Sequence, residues 1–260
     1  MTNLFTPNKL LSKKSVQILI FSQLSFLILF WFFSPFVFLP KPTEVYQSFI
    51  ELWQYDALAQ ELITSLFLSI ESILISIVVS LGLSYLSTIP FFRPAIAVVG
   101  KLRFLSLVGL SFFFTLMTST GHQLKVSLLV FSISVFFVTG MADVISCIPK
   151  EQYDLARTLR MNDWQVLWEV VILGQIDKGF DVLRQNAAVG YMSLTMIEAM
   201  SRSEGGIGAL LLNSNRHFHL SEVFAIQLLI LIIGLTQDGV IGYAKKLICP
   251  YSFFRLEHGQ

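Results

Sequence analysis

Long apolar runs separated by short polar returns dominate the chain, and they predict membrane-length segments at residues 16–39, 62–88, 104–119, 126–145, 185–200 and 223–243. The first, from Val16 to Leu39, would rise about 36 Å as a helix, enough to cross a bilayer. Its apolar core is longer than that of an ordinary secretion signal and its exit, Phe38-Leu39-Pro40-Lys41-Pro42, lacks a small-residue cleavage pattern, so an uncleaved span is expected. Pro40 and Pro42 then impose extended backbone, a helix is predicted to start at Thr43, and its polar continuation to Glu61 is expected outside the membrane. Along the second segment Ser65, Ser69, Ser72, Ser76, Ser80 and Ser84 recur every three or four residues, a stripe that either lets another helix approach closely or lines a polar path. Ile89-Pro90 ends that helix, Phe104 to Ser119 forms a phenylalanine-rich third segment, and His122 falls in a short loop where it is expected to be solvated. The fifth segment rises only about 24 Å, so it must be partly buried against other helices. Its Ala187, Ala188, Gly190, Ser193 and Thr195 favour a bundle interior.

One long polar stretch interrupts this pattern, from Asp154 to Leu173 within a loop spanning residues 147–180. It reads as two short helices joined by a turn. The first carries Leu155, Ala156 and Leu159 on one side with Arg157 and Arg160 elsewhere. In the second, Trp164, Leu167, Trp168 and Val171 recur at helical spacing and predict a single apolar stripe. Asn162 is placed to cap this second helix, with Gln165 as its capping-box partner. Such a stripe either packs on the protein's own spans or anchors another protein.

Composition agrees. The chain has 260 residues, 54% of them hydrophobic and 13% charged, and a mean hydropathy of +0.69, which implies an integral membrane protein of the all-α class. A net charge of +1 gives no nucleic-acid footprint. Lysine and arginine are nevertheless distributed unevenly. With the N-terminus inside, Lys9, Lys13 and Lys14 of the tail 1–15, then Arg93, Lys101 and Arg103, then Lys150, Arg157, Arg160, Lys178 and Arg184, and finally Lys245, Lys246 and, in the tail 247–260, Arg255 fall on the cytoplasmic side, leaving Lys41, Lys125, Arg202 and Arg216 outside. By the positive-inside rule both termini and the loop are cytoplasmic, and six spans are expected between residues 16 and 246. Cys147 and Cys249 then lie at the cytoplasmic side, where a structural disulfide is not expected.

Intramembrane polar residues are the candidate chemistry. Glu71 and Glu198 lie within spans, where a carboxylate tends to face water or the bundle interior. With Ser193 they are the candidate translocation-pathway residues; a hydrogen-bonded structural role is the alternative. His217 and His219 have no accompanying carboxylate or thiol cluster, so no metal site is expected. Neither a catalytic constellation nor a phosphate-binding loop occurs, so the chain is expected to be no enzyme, to bind no cofactor and to carry no ATPase site.

The residue order of the polar stretch resembles the cytoplasmic loop of permease subunits of binding-protein-dependent ABC importers, which reads E-A-A, three residues, G, nine residues, I-x-L-P. Asp154, Leu155 and Ala156 fall on E-A-A, and Val170 and Ile172 on I and L. Arg160 stands where the family usually has glycine, and Leu173 where it has proline. A second match is Glu198 followed by Gly205-Gly206-Ile207-Gly208, similar to the family's E…GLG pattern. The segment Leu39 to Val45 resembles the nitrate, sulfonate and taurine branch.

The resemblance implies a type I importer permease bundle in the bacterial inner membrane, working as a homodimer with two copies of a cytoplasmic ATPase, which uses the ATP, and an external substrate-binding protein. The hairpin would be the coupling helix, with Asp154, Leu155, Ala156, Arg157, Leu159, Arg160, Met161, Trp164, Leu167 and Trp168 meeting the ATPase. A small anion or zwitterion such as nitrate, a sulfonate or taurine would be the substrate. The rival reading is a proton-coupled carrier using Glu71 and Glu198, or a membrane scaffold, with no ATPase.

Overall fold

The computed structural model describes residues 13–33, 36, 38–55, 58–201 and 205–251. Among them the chain is helical with no strand: α1 Lys13–Phe32, α2 Pro42–Tyr55, α3 Leu58–Leu86, α4 Arg93–Lys101, α5 Leu107–Met117, α6 Gly121–Ser146, α7 Lys150–Thr158, α8 Asp163–Val166, α9 Ile176–Met200, α10 Ile207–Arg216 and α11 Leu220–Ile248.

Helices α3, α6 and α9 form the centre, and small residues set their spacing. All six serines of the α3 stripe are buried. Ser76 and Ser84 donate to the carbonyls of Ser72 and Ser80, both at 2.6 Å, so their hydroxyls are satisfied within the helix while the small side chains admit α6. Between α6 and α9 the approach is also close. A Cβ on Gly140 would lie 2.8 Å from Val182, one on Gly190 3.0 Å from Ile133, and the Ser132 and Ser193 hydroxyls meet at 2.8 Å. Around these contacts Leu68, Leu128, Leu129, Leu194 and Ile197 form one buried cluster, and Phe137, Met141 and Val182 another.

Four helices, α1, α3, α6 and α11, are long and apolar enough to cross a membrane, and a fifth crossing is available if α4 and α5 count together. Within the third predicted segment, residues 104–119, α5 is one continuous helix but a shorter one, and the basic return before it is itself helical. That return, α4 followed by a 3-10 turn over Leu102–Phe104, meets α5 at 114°. Ser106 is extended at the bend, and α5 alone rises only about 16 Å. The fifth segment is longer than the predicted 185–200. Helix α9 begins at Ile176, because its polar first half is paired to α11: Arg184 makes a bidentate ion pair with Asp238, and Lys245 reaches Asp181 at 2.6 Å.

Two further boundaries differ. The first helix stops at Phe32, short of Leu39, and Trp31 Nε1 donates to the Pro40 carbonyl at 3.0 Å beyond the turn. Helix α2 ends at Tyr55, and the polar Gln60-Glu61 stretch belongs to α3. Leu58 explains that early start. It is fully buried in a cluster with Val45 and Leu52 of α2, Ile207 of α10 and Ala225, Ile226 and Leu229 of α11.

The serine stripe makes a prediction. Ser72 is fully buried and its hydroxyl has no hydrogen-bond partner among the described residues. Ser72→Ala should therefore leave the thermal unfolding of the detergent-solubilised protein within about 0.5 kcal/mol of the parent. Ser72→Leu should overpack the α3–α6 contact and lower stability by about 1–3 kcal/mol.

Candidate functional site

The polar hairpin is built as two capped helices with opposite faces doing different things. In α7 Ala156 points inward and is buried, whereas Leu155 and Leu159 are each 63% exposed. After Thr158 the chain closes in a Schellman turn: Met161 N–H donates to the Ala156 carbonyl at 3.2 Å and Arg160 N–H to that of Arg157 at 2.9 Å. Arg160 occupies the left-handed position of this turn with φ +55°, the conformation that glycine adopts without penalty. The turn geometry is kept, and the side chain carries a strain of about 1 kcal/mol. Asn162 then starts α8 through the reciprocal capping box expected, accepting from Gln165 N–H at 2.9 Å while Gln165 Oε1 accepts from Asn162 N–H at 2.9 Å.

Beyond α8 the helix widens to π geometry over Leu167–Ile172. The wider turn rotates Val171 off the predicted stripe. Trp164 and Trp168 stay outward, 70% and 57% exposed, while Leu167 is half-buried and Val171 is buried. The single stripe is thus split into an anchoring half and an outward half. Arg157 lies 3.7 Å from Asp154 on the exposed side, and Met161 is half-buried. Tyr153, half-buried beside the hairpin, has its phenol pushed above the ordinary value by that burial. Between the hairpin and the α3–α4 corner lies a cleft of about 1010 Å³.

The three pathway candidates occupy different settings. Glu71 is exposed on α3 and lies 3.0 Å from His122 Nε2, so the histidine expected in solvent has an intramolecular partner. Ser193 is buried against Ser132. Glu198 is fully buried. It accepts from the Ser65 hydroxyl at 2.6 Å and from Gly208 N–H at 2.9 Å, while Ser65 accepts from Ile207 N–H at 2.8 Å and Glu61 accepts from Gly206 N–H. Three successive backbone donors at the start of α10 thus meet protein oxygens, as a helix N-terminus inside a bundle requires. Lys125, only 2% exposed, donates to the Gly205 carbonyl at 2.7 Å.

The glycines follow from this packing. A Cβ on Gly208 would collide with the backbone of Thr195, and one on Gly206, where φ is +110°, with the Glu198 carboxylate. The sequence flagged Glu198 and the glycines, and Ser65 only as part of the serine stripe, but not Glu61 or Lys125, which arrive from distant parts of the chain. It also missed the Arg184–Asp238 pair. An acidic residue in a span is a signal, yet its partner on another helix is not adjacent in sequence.

His217 and His219 stack loosely, with ring centroids 5.9 Å apart. No group of three metal-binding side chains occurs among the described residues.

No family model and no curated protein matches the sequence. Among solved structures, the crystal structure of an amino acid ABC transporter with histidines is similar at a TM-score of 0.58 and 17% identity, over 77% of this chain and 96% of that one. The chain shares its fold with that ABC transporter. At this identity the likeness speaks for the architecture alone, an all-α polytopic bundle.

Two substitutions check these local geometries. Arg160→Gly should relieve the left-handed strain and raise unfolding stability by about 1 kcal/mol in a thermal scan. Gly208→Ala should push α10 off α9 and lower the yield of folded, monodisperse protein, whereas Ala209→Gly, one position on, should be mild by comparison.

Proposed function

We propose that this chain is the membrane-spanning permease subunit of an ABC importer, and that its hairpin transmits the motion of a separate ATPase to the bundle. The observation that carries the proposal is the split hairpin: Ala156 and Val171 hold it to the bundle while Leu155, Leu159, Trp164 and Trp168 stand exposed on a rigid, doubly capped support. Unpartnered tryptophans on a capped hairpin are characteristic of an anchor for another protein. Asp154, Arg157, Arg160 and Met161 complete the docking surface. The likeness to an amino acid ABC transporter supports the same reading.

In this account two copies of the chain form a homodimer in a bacterial inner membrane, with both termini and the hairpin cytoplasmic. Two ATPase subunits lie beneath and a substrate-binding protein docks on the other side. The importer class, and the nitrate, sulfonate and taurine branch in particular, is favoured by the Asp154-Leu155-Ala156 and Glu198…Gly208 resemblances, with a small anion or zwitterion as substrate.

The burial of Glu198 and Ser193 suits fastening roles within the subunit. The pathway is better sought on the face of α9 and α11 that carries Arg184, Tyr191, Gln227 and Asp238 around a groove of about 390 Å³. The Arg184 and Asp238 side chains are 51% and 37% exposed there. Charges at membrane depth require water or protein beside them, not lipid. Complete engagement of Glu198 by Ser65 and Gly208 also disfavours a carrier that shuttles protons on it.

Trp164→Ala and Trp168→Ala together should abolish ATP-driven uptake in proteoliposomes, a loss of at least about tenfold, while membrane insertion and unfolding temperature stay unchanged. Normal uptake by the double variant would remove the docking role.

A further inference from the structure

The cleft between the hairpin and the α3–α4 corner has a charge the proposed coupling does not use. Arg93, Lys101 and Arg103 supply it, facing Arg157 of the docking surface, which is paired to Asp154, and Asp143 and Asp163. Among the described residues Arg93, Lys101 and Arg103 form no salt bridge. The wall hydroxyls are already committed as donors: Thr88 to the Tyr85 carbonyl, Thr139 to that of Val135 and Ser146 to that of Asp143. The cations, with the Tyr153 hydroxyl and the Trp164 indole N–H, are therefore the donors left to meet a ligand, and of these only the cations carry charge.

Their support is rigid. Pro94 lies in the first turn of α4, Ile96 is buried, and a Cβ on Gly100 would lie 3.3 Å from Thr139 Oγ1, so α4 sits tightly on α6 with Arg93 at one end and Lys101 at the other. Beside these cations stand Phe91 and Phe104, 83% and 80% exposed, with Phe92 and Leu105 also exposed. The Arg103 guanidinium rests 5.1 Å from the centre of the Phe104 ring. Exposed rings and unpaired cations on one corner of a membrane bundle fit the headgroup boundary, where rings meet acyl chains and cations meet phosphate.

We propose that this cleft binds the phosphate headgroup of an anionic glycerophospholipid from the membrane leaflet on the hairpin side. A lipid bound there would lie between the hairpin and α4, and so tie the position of the hairpin to membrane composition. The inference rests on the chain spanning a membrane but not on the ATPase, so its test is run on the chain alone.

The full chain, purified in neutral detergent and delipidated, is titrated with phosphatidylglycerol or phosphatidylcholine of the same acyl chains, and bound lipid is counted by native mass spectrometry. Phosphatidylglycerol should be retained and phosphatidylcholine not, and millimolar inorganic phosphate or glycerol 3-phosphate should fail to displace it. Arg93→Gln with Arg103→Gln should raise the half-saturating concentration roughly fivefold for each lost cation. Lys150→Gln, outside the cleft, should leave it unchanged. If the double variant unfolds, Lys101→Gln alone should still give the single-cation effect. Equal retention of both lipids, or retention untouched by the cleft variants, would overturn the proposal in favour of general annular lipid. Displacement by phosphate would overturn it in favour of a soluble anion.

Discussion

The start of α10 is a helix end inside a bundle, and its free backbone donors have to be met by the protein itself. Where water is scarce each unmet N–H costs several kcal/mol, so this end can exist only if oxygens are brought to it. Glu61, Ser65 and Glu198 supply them to Gly206, Ile207 and Gly208. This one requirement explains several otherwise separate features. Helix α3 must extend back to Glu61, Ser65 must be small and polar, and glycine must stand wherever the α10 backbone touches α9 or its carboxylate.

The same helix that carries Glu198 begins at the foot of the hairpin. From Ile176 to Glu198 α9 rises about 33 Å, so one rod joins the two features that the structure holds most firmly. Near the hairpin it is clamped to α11 by Arg184–Asp238 and Asp181–Lys245, and at the far end it is fixed to α3 and α10 through Glu198. A push on the exposed tryptophans would thus move α9, α10 and α11 together, because the ion pairs and the cap resist sliding between them. The homodimer and ATPase of the proposed importer would act on that unit.

Much of this architecture is legible in the residue pattern, for physical reasons that can be named. The serine period in α3 and the Asn162–Gln165 box depend on local spacing, and both appear where expected. The bend between α4 and α5 is different. Hydropathy marks Arg93, Lys101 and Arg103 as a polar return, and nothing in the pattern marks that return as a helix that meets α5 at 114°. The length of α9 was hidden because Asp181 and Arg184 look like loop residues until Lys245 and Asp238 are brought beside them. At the hairpin the helical spacing predicts one stripe, and the π turn over Leu167–Ile172 divides it, a change of backbone geometry that side-chain spacing does not encode. Arg160 shows the reverse case. The position was readable as a turn that wants glycine, and the chain keeps that turn with a strained arginine.

The central claim is that this bundle works through a separate ATPase, and native mass spectrometry of the tagged chain, purified in mild detergent from its source cells, tests it most directly. The account predicts a complex containing two copies of the chain and two copies of an ATPase subunit. An intact, folded chain that carries no ATPase, with nucleotide present throughout, would contradict it.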